Sequence, residues 1–156
     1  MTVVLIRLAI LDDVPFMRAL EEQFASAAHW ARRDYDALFA PCAPARIALV
    51  AVNESEVMQL HGFVIARCAL DEWEIENVVV ARDHQRLGIG ARLIRELLMR
   101  AHAGGATWVL LEVREANLAA RRLYEKLGFS ECGRRVNYYR DPTEDALLLR
   151  ISIAIH

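Results

Sequence analysis

Residues 84–100 read HQRLGIGARLIRELLMR, a polar turn with two glycines that runs straight into a helix. From Ile89 onward, Leu93, Ile94, Leu97, Leu98 and Ala101 recur at helical spacing, and Gly104-Gly105 ends the run. WEIENVVVA (73–81) before the turn and TWVLLEV (107–113) after the helix are rich in residues that favour strands. Strand, turn, helix and strand make a crossover unit, so part of the sheet is expected to be parallel. A helix entered through a glycine turn presents several unpaired backbone N–H groups pointing one way, an arrangement that attracts anions. Gly88 and Gly90 remove side chains that would keep a phosphate away, and Arg82, Arg86 and Arg92 add positive charge nearby. Two glycines before a helix also make an ordinary turn. The third glycine of a dinucleotide fingerprint and the Gly-Lys-Ser/Thr of a P-loop are absent, so the anion is expected to belong to another kind of cofactor.

Outward from this unit, TVVLIRLAIL reads as a first strand, and Asp12 or Asp13 caps a helix with Pro15 in its first turn and Phe16, Leu20 and Phe24 on its buried face. A short helix covers Arg32 to Phe39 and stops at the PCAP of residues 41–44. ARIALVAVN and VMQLHGFVIARCAL form an antiparallel hairpin across the turn Asn53-Glu54-Ser55-Glu56. Beyond the central unit, NLAARRLYEKLG is a helix closed by Gly128, and FSECGRRVNYY and ALLLRISIA are strands. The expected order is β-α-α-β-β-β-α-β-α-β-β.

At 156 residues the chain has the size of one domain, taken as 1–156. No stretch approaches the roughly 18 uninterrupted apolar residues of a membrane span, and Arg7 with Asp12 and Asp13 interrupts the apolar start before any cleavage pattern. The expectation is a cytoplasmic protein. Cys42, Cys68 and Cys132 lack the short paired spacing of zinc or disulfide frameworks, and His29, His61, His84, His102 and His156 form no close pair, so no metal is expected. The net charge of −2 argues against a broad nucleic-acid surface. It conceals a division, however: residues 1–81 hold 6 Lys and Arg against 12 Asp and Glu, and residues 82–140 hold 12 against 6. A basic second half suits an anionic ligand, although basic helices are often only solvated faces.

Gln85-Arg86-Leu87-Gly88-Ile89-Gly90-Ala91 resembles the pyrophosphate loop of GNAT superfamily N-acetyltransferases, which bind acetyl-coenzyme A. LEVREANLAARRLYEKLGF is similar to that superfamily's second cofactor motif, with Asn117, Ala120, Tyr124, Gly128 and Phe129 in register. ENVVV, LEVREAN, LYEKLGF, RRVNYY and EDALLL give the nearest likeness, over about residues 3–153, to bacterial ribosomal-protein-alanine N-acetyltransferases, with a weaker match at His29-Trp30. Arg82 replaces a common proline and Ala116 a common serine.

The resemblance implies an α/β (α+β) fold, a mixed twisted sheet of about seven strands flanked by about four helices, whose parallel central strands splay. It implies an acetyl-CoA-dependent transfer to an amine, most simply a protein N-terminus, with the acidic first half facing a cationic acceptor. The pantetheine arm would lie along Val78, Val79 and Val80, where a backbone N–H polarises the thioester carbonyl. Glu112 is the base the resemblance implies, with Glu74 and Glu76 as rivals. Tyr124 is the implied proton donor to the thiolate, although its helical spacing also suits packing beside Leu123 and Leu127. Asn117 would bond the cofactor arm or simply cap its helix. Trp30, Glu74, Tyr138 and Tyr139 are acceptor-side candidates, and strand alternation sends the two tyrosines to opposite faces. Other readings are an acetyltransferase for a small amine or a lysine side chain, a non-catalytic acyl-CoA-binding module, and, least supported, a nucleotide-binding redox protein.

Overall fold

A computed structural model describes residues 3–24, 30–40, 45–53 and 55–154, so His29, Cys42, Glu54, His156 and the PCAP stretch lie outside the described residues. In chain order it runs β1 (Val4–Leu8), α1 (Val14–Glu22), α2 (Arg32–Ala37), β2 (Arg46–Asn53), β3 (Glu56–Ala69), β4 (Glu72–Val80), α3 (Ile89–Ala103), β5 (Trp108–Arg114), α4 (Leu118–Lys126), β6 (Ser130–Tyr139) and β7 (Glu144–Ser152). This is the order the sequence predicts. Seven strands form one sheet ordered β1-β2-β3-β4-β5-β7-β6, with every neighbouring pair antiparallel except β4 and β5. No helix among the described residues is long and apolar enough to cross a membrane.

The two faces of the sheet carry separate cores. Leu93, Ile94, Leu97 and Ala101 pack α3 on one face against Val64, Ile75, Val109, Leu111 and Leu147. On the other face Val14, Met17 and Leu20 of α1 and Tyr35 of α2 cover Val50, Phe63, Ile65 and Val79. The buried stripe of α1 is therefore Val14–Met17–Leu20, with Phe16 and Phe24 on its flank instead of at its centre. Asp13 sits at the expected N-cap, yet its carboxylate turns away from the helix. It accepts both Arg7 guanidinium nitrogens, at 2.7 and 3.0 Å, and the Ile10 amide at 2.8 Å, tying β1 to the start of α1. Buried Glu21 accepts from the Tyr35 hydroxyl and from Asn77 Nδ2, which fixes both helices against the middle of β4. Burial and the Glu21 partner push the Tyr35 phenol well above its ordinary value.

Candidate active site

β4 and β5 pair only from Glu72↔Trp108 to Ile75↔Leu111, although β4 continues to Val80 and β5 to Arg114. The cause lies in β4: Ile65 and Ala66 on β3 face Asn77 and Ile75, leaving Glu76 as an extra residue between them. Such a bulge bends its strand and raises its twist. The two parallel strands separate beyond it, as the expected splay requires. The Ala81 amide bonds the His61 carbonyl of β3 at 2.8 Å, so alternation aims Val79 at β3 as well and turns the main-chain groups of Val78 and Val80 towards the opening. Val79 buries its side chain under α1 and falls outside the cleft.

The loop into α3 bridges the top of the opening. Gln85 donates through Nε2 to the Val80 carbonyl at 3.2 Å, so its side chain braces the loop. Arg86 and Gly88 both take positive φ, +66° and +79°. Beyond Gln85 the next main-chain donor to find a main-chain acceptor is Arg92, bonded to the Gly88 carbonyl at 3.0 Å; among the described residues, the amides of 86–91 form no such bond. The two glycines serve different purposes. A Cβ at Gly88 would meet nothing within 4 Å, so the loop is bare there, whereas one at Gly90 would lie 3.3 Å from Leu123 Cδ2. Gly88 leaves room for an anion; Gly90 lets α3 approach α4.

Ile89 is core, and Leu87 and Arg86 are exposed on the rim. Arg82 donates to the Gln23 carbonyl at 2.8 Å and stacks on Phe24, while Arg92 donates to the Val4 carbonyl at 2.8 Å. Of the three arginines assigned to the anion, these two staple the ends of α1 and β1, and Arg86 alone stands on the loop without such a bond. Asn117 caps α4, its Oδ1 accepting from Ala120 N at 3.2 Å, so the plainer of its two expected uses is present.

On the opposite wall, Val109, Leu111 and Val113 face the core and Glu112 faces the other side of the sheet, one residue past the last pairing with β4. Its Oε1 lies 3.0 Å from Arg135 Nε on β6, the carboxylate side chain being 19% exposed and the arginine 56%. Tyr124, on α4, is 8% exposed and edge-on to Phe129. Burial, and secondarily Tyr139, push its phenol up to about 12. Tyr139 is also raised, by burial and then by Glu112, against the lowering effect of Arg114. Tyr139 thus lies within electrostatic reach of both Glu112 and Tyr124, and Glu112 stands just beyond the last β4–β5 pair.

Tyr138 and Tyr139 are not sent to opposite faces. Asn137 adopts φ +54°, the β6–β7 register breaks between Arg135 and Tyr139, and the two rings meet edge-to-face with centroids 5.1 Å apart. Trp30 packs on Tyr35, and Arg46 lies over its ring, 5.4 Å from the centroid. The rival carboxylates are both engaged: Glu76 with Arg46 at 2.8 Å and Glu74 with Arg67 at 2.6 Å. A groove of about 180 Å³ runs between Glu74 and Glu112 over Leu110 and Leu148. Of its carboxylates, the two candidates Glu74 and Glu112 each have an arginine partner, so the groove is less openly acidic than the counts suggested, although Glu72 also lines it. Arg114, Arg135 and Glu144 were given no role by the sequence reading, although LEVREAN, RRVNYY and EDALLL contain them, because their relevance depends on the β5–β7–β6 register. Among the described residues, no cluster of three metal-ligating side chains occurs.

The sequence pattern of the acetyltransferase (GNAT) family matches residues 14–129. Over 99 residues the chain is 38% identical to the ribosomal protein bS18-alanine N-acetyltransferase of Escherichia coli strain K12, an alignment covering 62% of this chain and 67% of that protein. The crystal structure of the E. coli ribosomal-protein-S18-alanine N-acetyltransferase superposes with a TM-score of 0.84 at 28% identity, over 99% of this chain and 96% of the other. Arabidopsis thaliana NAA60, solved in complex with acetyl-CoA, superposes with a TM-score of 0.85 over 97% and 99% of the two chains; at 18% identity the likeness is one of fold.

Proposed function

The chain belongs to the GNAT acetyltransferase family, whose members are acetyl-CoA-dependent N-acetyltransferases, and we propose that residues 1–156 act as one catalytic domain on the N-terminal α-amino group of a protein. Likeness to the E. coli relative makes a ribosomal protein the first acceptor to test, and the transfer is direct, with both substrates bound. The observation that carries this reading is the split between β4 and β5, with bare amides above it and Glu112 just past its last pairing.

The residues present fit coenzyme A. Gly88 leaves an open cradle over the loop, and the amides of Arg86, Leu87, Gly88, Ile89, Gly90 and Ala91 would hold the pyrophosphate. The cleft-facing main chain of Val78 and Val80 would pair with the pantetheine arm, beside Ala120 and the Asn117 amide nitrogen. When bound, acetyl-CoA supplies an acyl group activated as a thioester. A main-chain N–H of the β4 edge would polarise its carbonyl.

Glu112 receives the proton of the attacking amine, through water, once Arg135 swings aside into solvent. A free α-amino group, with a pKa near 8, costs only about 1.4 kcal/mol to deprotonate at pH 7, against about 4 to 5 for lysine, so a modest carboxylate suffices for an N-terminus. Tyr124 stays protonated and donates to the departing sulfur. Proton transfer from a phenol near 12 to a water-exposed thiolate of pKa about 8.5 would be uphill by roughly 5 kcal/mol. Burial raises a thiol as it raises the phenol, which narrows the gap inside the cleft. Trp30, Glu74, Tyr138 and Tyr139 border the path of the peptide.

Mass spectrometry after incubation with acetyl-CoA and a panel of N-terminal peptides, lysine peptides and polyamines tests the reading. Label on peptide α-amines is the expected result. Label confined to lysine or to small amines would replace the acceptor while leaving the chemistry in place.

A further inference from the structure

Glu144 opens β7 opposite Tyr139 in the hairpin register, and its side chain is only 14% exposed. Its two oxygens serve different walls of the cleft. Oε1 accepts from the Arg114 guanidinium at 3.4 Å, and that guanidinium lies over the Tyr139 ring, 4.0 Å from its centroid. Oε2 accepts from the Ala116 amide at 2.6 Å, in the turn that leads to Asn117, the cap of α4, and so to Tyr124. We infer that Glu144 is a positioning residue that sets the acceptor wall and the cofactor wall in register, by holding Arg114 over Tyr139 and the Ala116 turn ahead of α4 at once.

Only a carboxylate fits this place. It offers acceptors on both oxygens, where a glutamine would keep one and turn an N–H₂ towards the other donor. The short bond to a backbone amide is charge-assisted and fixes the turn more firmly than a neutral acceptor would. The neighbouring cluster has no such reach. Asp145 accepts from Arg134 at 2.8 Å and from the Asn137 amide at 2.9 Å, and Arg134 also meets Glu115 at 3.0 Å. Those contacts hold the hairpin without touching a cleft tyrosine, so Glu115 provides a control in the same neighbourhood.

The inference rests on the reading that Tyr139 serves the acceptor and α4 the cofactor. Its test is a pair of double-mutant cycles with two readouts: KM for an acceptor peptide with a free N-terminus, and calorimetric affinity for coenzyme A. Glu144→Gln is expected to raise the peptide KM about tenfold and to weaken coenzyme A binding about fivefold. With Tyr139→Leu already present, Glu144→Gln should change the peptide KM less than about twofold and still weaken coenzyme A. With Asn117→Ala present, it should leave coenzyme A affinity nearly unchanged and still raise the peptide KM. A merely structural role would multiply through both backgrounds, and that result, or an effect no larger than that of Glu115→Gln, overturns the inference. Should Glu144→Gln fail to fold in a thermal melt, Arg114→Gln severs the acceptor arm alone: it must raise the peptide KM with coenzyme A affinity held within about twofold, and any other outcome is a refutation. If the parent protein acetylates no peptide, the acceptor reading falls, whereas unchanged coenzyme A affinity in Glu144→Gln separately decides against Glu144.

Discussion

Along β4 and the loop into α3, the cleft is walled by main chain: the edge of Val78 and Val80, and the amides of residues 86–91. Across from it, β5 and the β6–β7 hairpin present side chains in interlocked pairs, Glu112 with Arg135, Arg114 with Glu144 and Tyr139, and Tyr138 with Tyr139. The first wall suits a constant ligand, because main-chain atoms line it and, Gln85 apart, most side-chain changes leave them in place. In the proposed reaction the second would handle protons and a variable acceptor, which need specific titratable and aromatic groups. Glu112 and Arg114 depend on partners 23 and 30 residues away in the chain.

The sharpest division between the walls comes from Tyr124. Tyr124→Phe is expected to lower kcat by about 100-fold or more, with calorimetric affinity for coenzyme A held within about threefold. Unchanged turnover would remove Tyr124 from the role of proton donor. The phenol's position near 12 sets the pH behaviour: a proton donor works in its acid form, and this one loses it only as pH rises through about 12. Activity of the native protein should therefore show no alkaline fall up to about pH 10 from this group. A limb near pH 9 in a steady-state profile would assign the donor elsewhere.

Glu112→Gln should cost about 10- to 100-fold in kcat/KM for a peptide at pH 7. The deficit should narrow towards pH 9, because an α-amine of pKa about 8 is by then deprotonated without help. A deficit independent of pH would make Glu112 a binding residue, and an equal loss in Glu76→Gln would move the base to β4.

The main-chain wall has one sensitive point. Gly88→Val places a β-branched residue at φ +79°, which costs about 2 kcal/mol of backbone strain and weakens coenzyme A about 30-fold, even though the new Cβ would clash with nothing. Gly90→Ala should be milder, since Leu123 needs to give only a few tenths of an ångström. Calorimetry on both variants would reverse the assigned roles if Gly90→Ala proved the more damaging. The smallest effect is expected at Arg135: its guanidinium is half in water, so Arg135→Ala should alter peptide kcat/KM no more than about threefold. A larger loss would make the Arg135–Glu112 pair part of the acceptor site.

The main-chain wall was the more legible of the two. Helical spacing after Ile89, the glycines at 88 and 90, and the crossover between WEIENVVVA and TWVLLEV are patterns within a few turns or strands of one another. The side-chain wall was legible only as a set of names. Glu112 and Tyr139 could be singled out, but their partners were invisible, because Arg135 reaches Glu112, and Glu144 reaches the Arg114 that covers Tyr139, through strand register across 20 to 30 residues. Arg82 and Arg92 show the same limit in reverse. Both lie beside the loop in the chain, yet both bond backbone carbonyls elsewhere in the fold, where they satisfy the Gln23 and Val4 oxygens.

Amino-acid order by itself determined the succession of seven strands and four helices, the parallel crossover and the anion-seeking loop, because each follows from local periodicity and the conformational freedom of glycine. Only the tertiary structure decided where the parallel strands part, which arginine neutralises which carboxylate, and that Tyr138 and Tyr139 stand together. Those outcomes hang on the extra residue at Glu76 and the left-handed turn at Asn137, single-residue departures from regular pairing whose effect is set by the neighbouring strands.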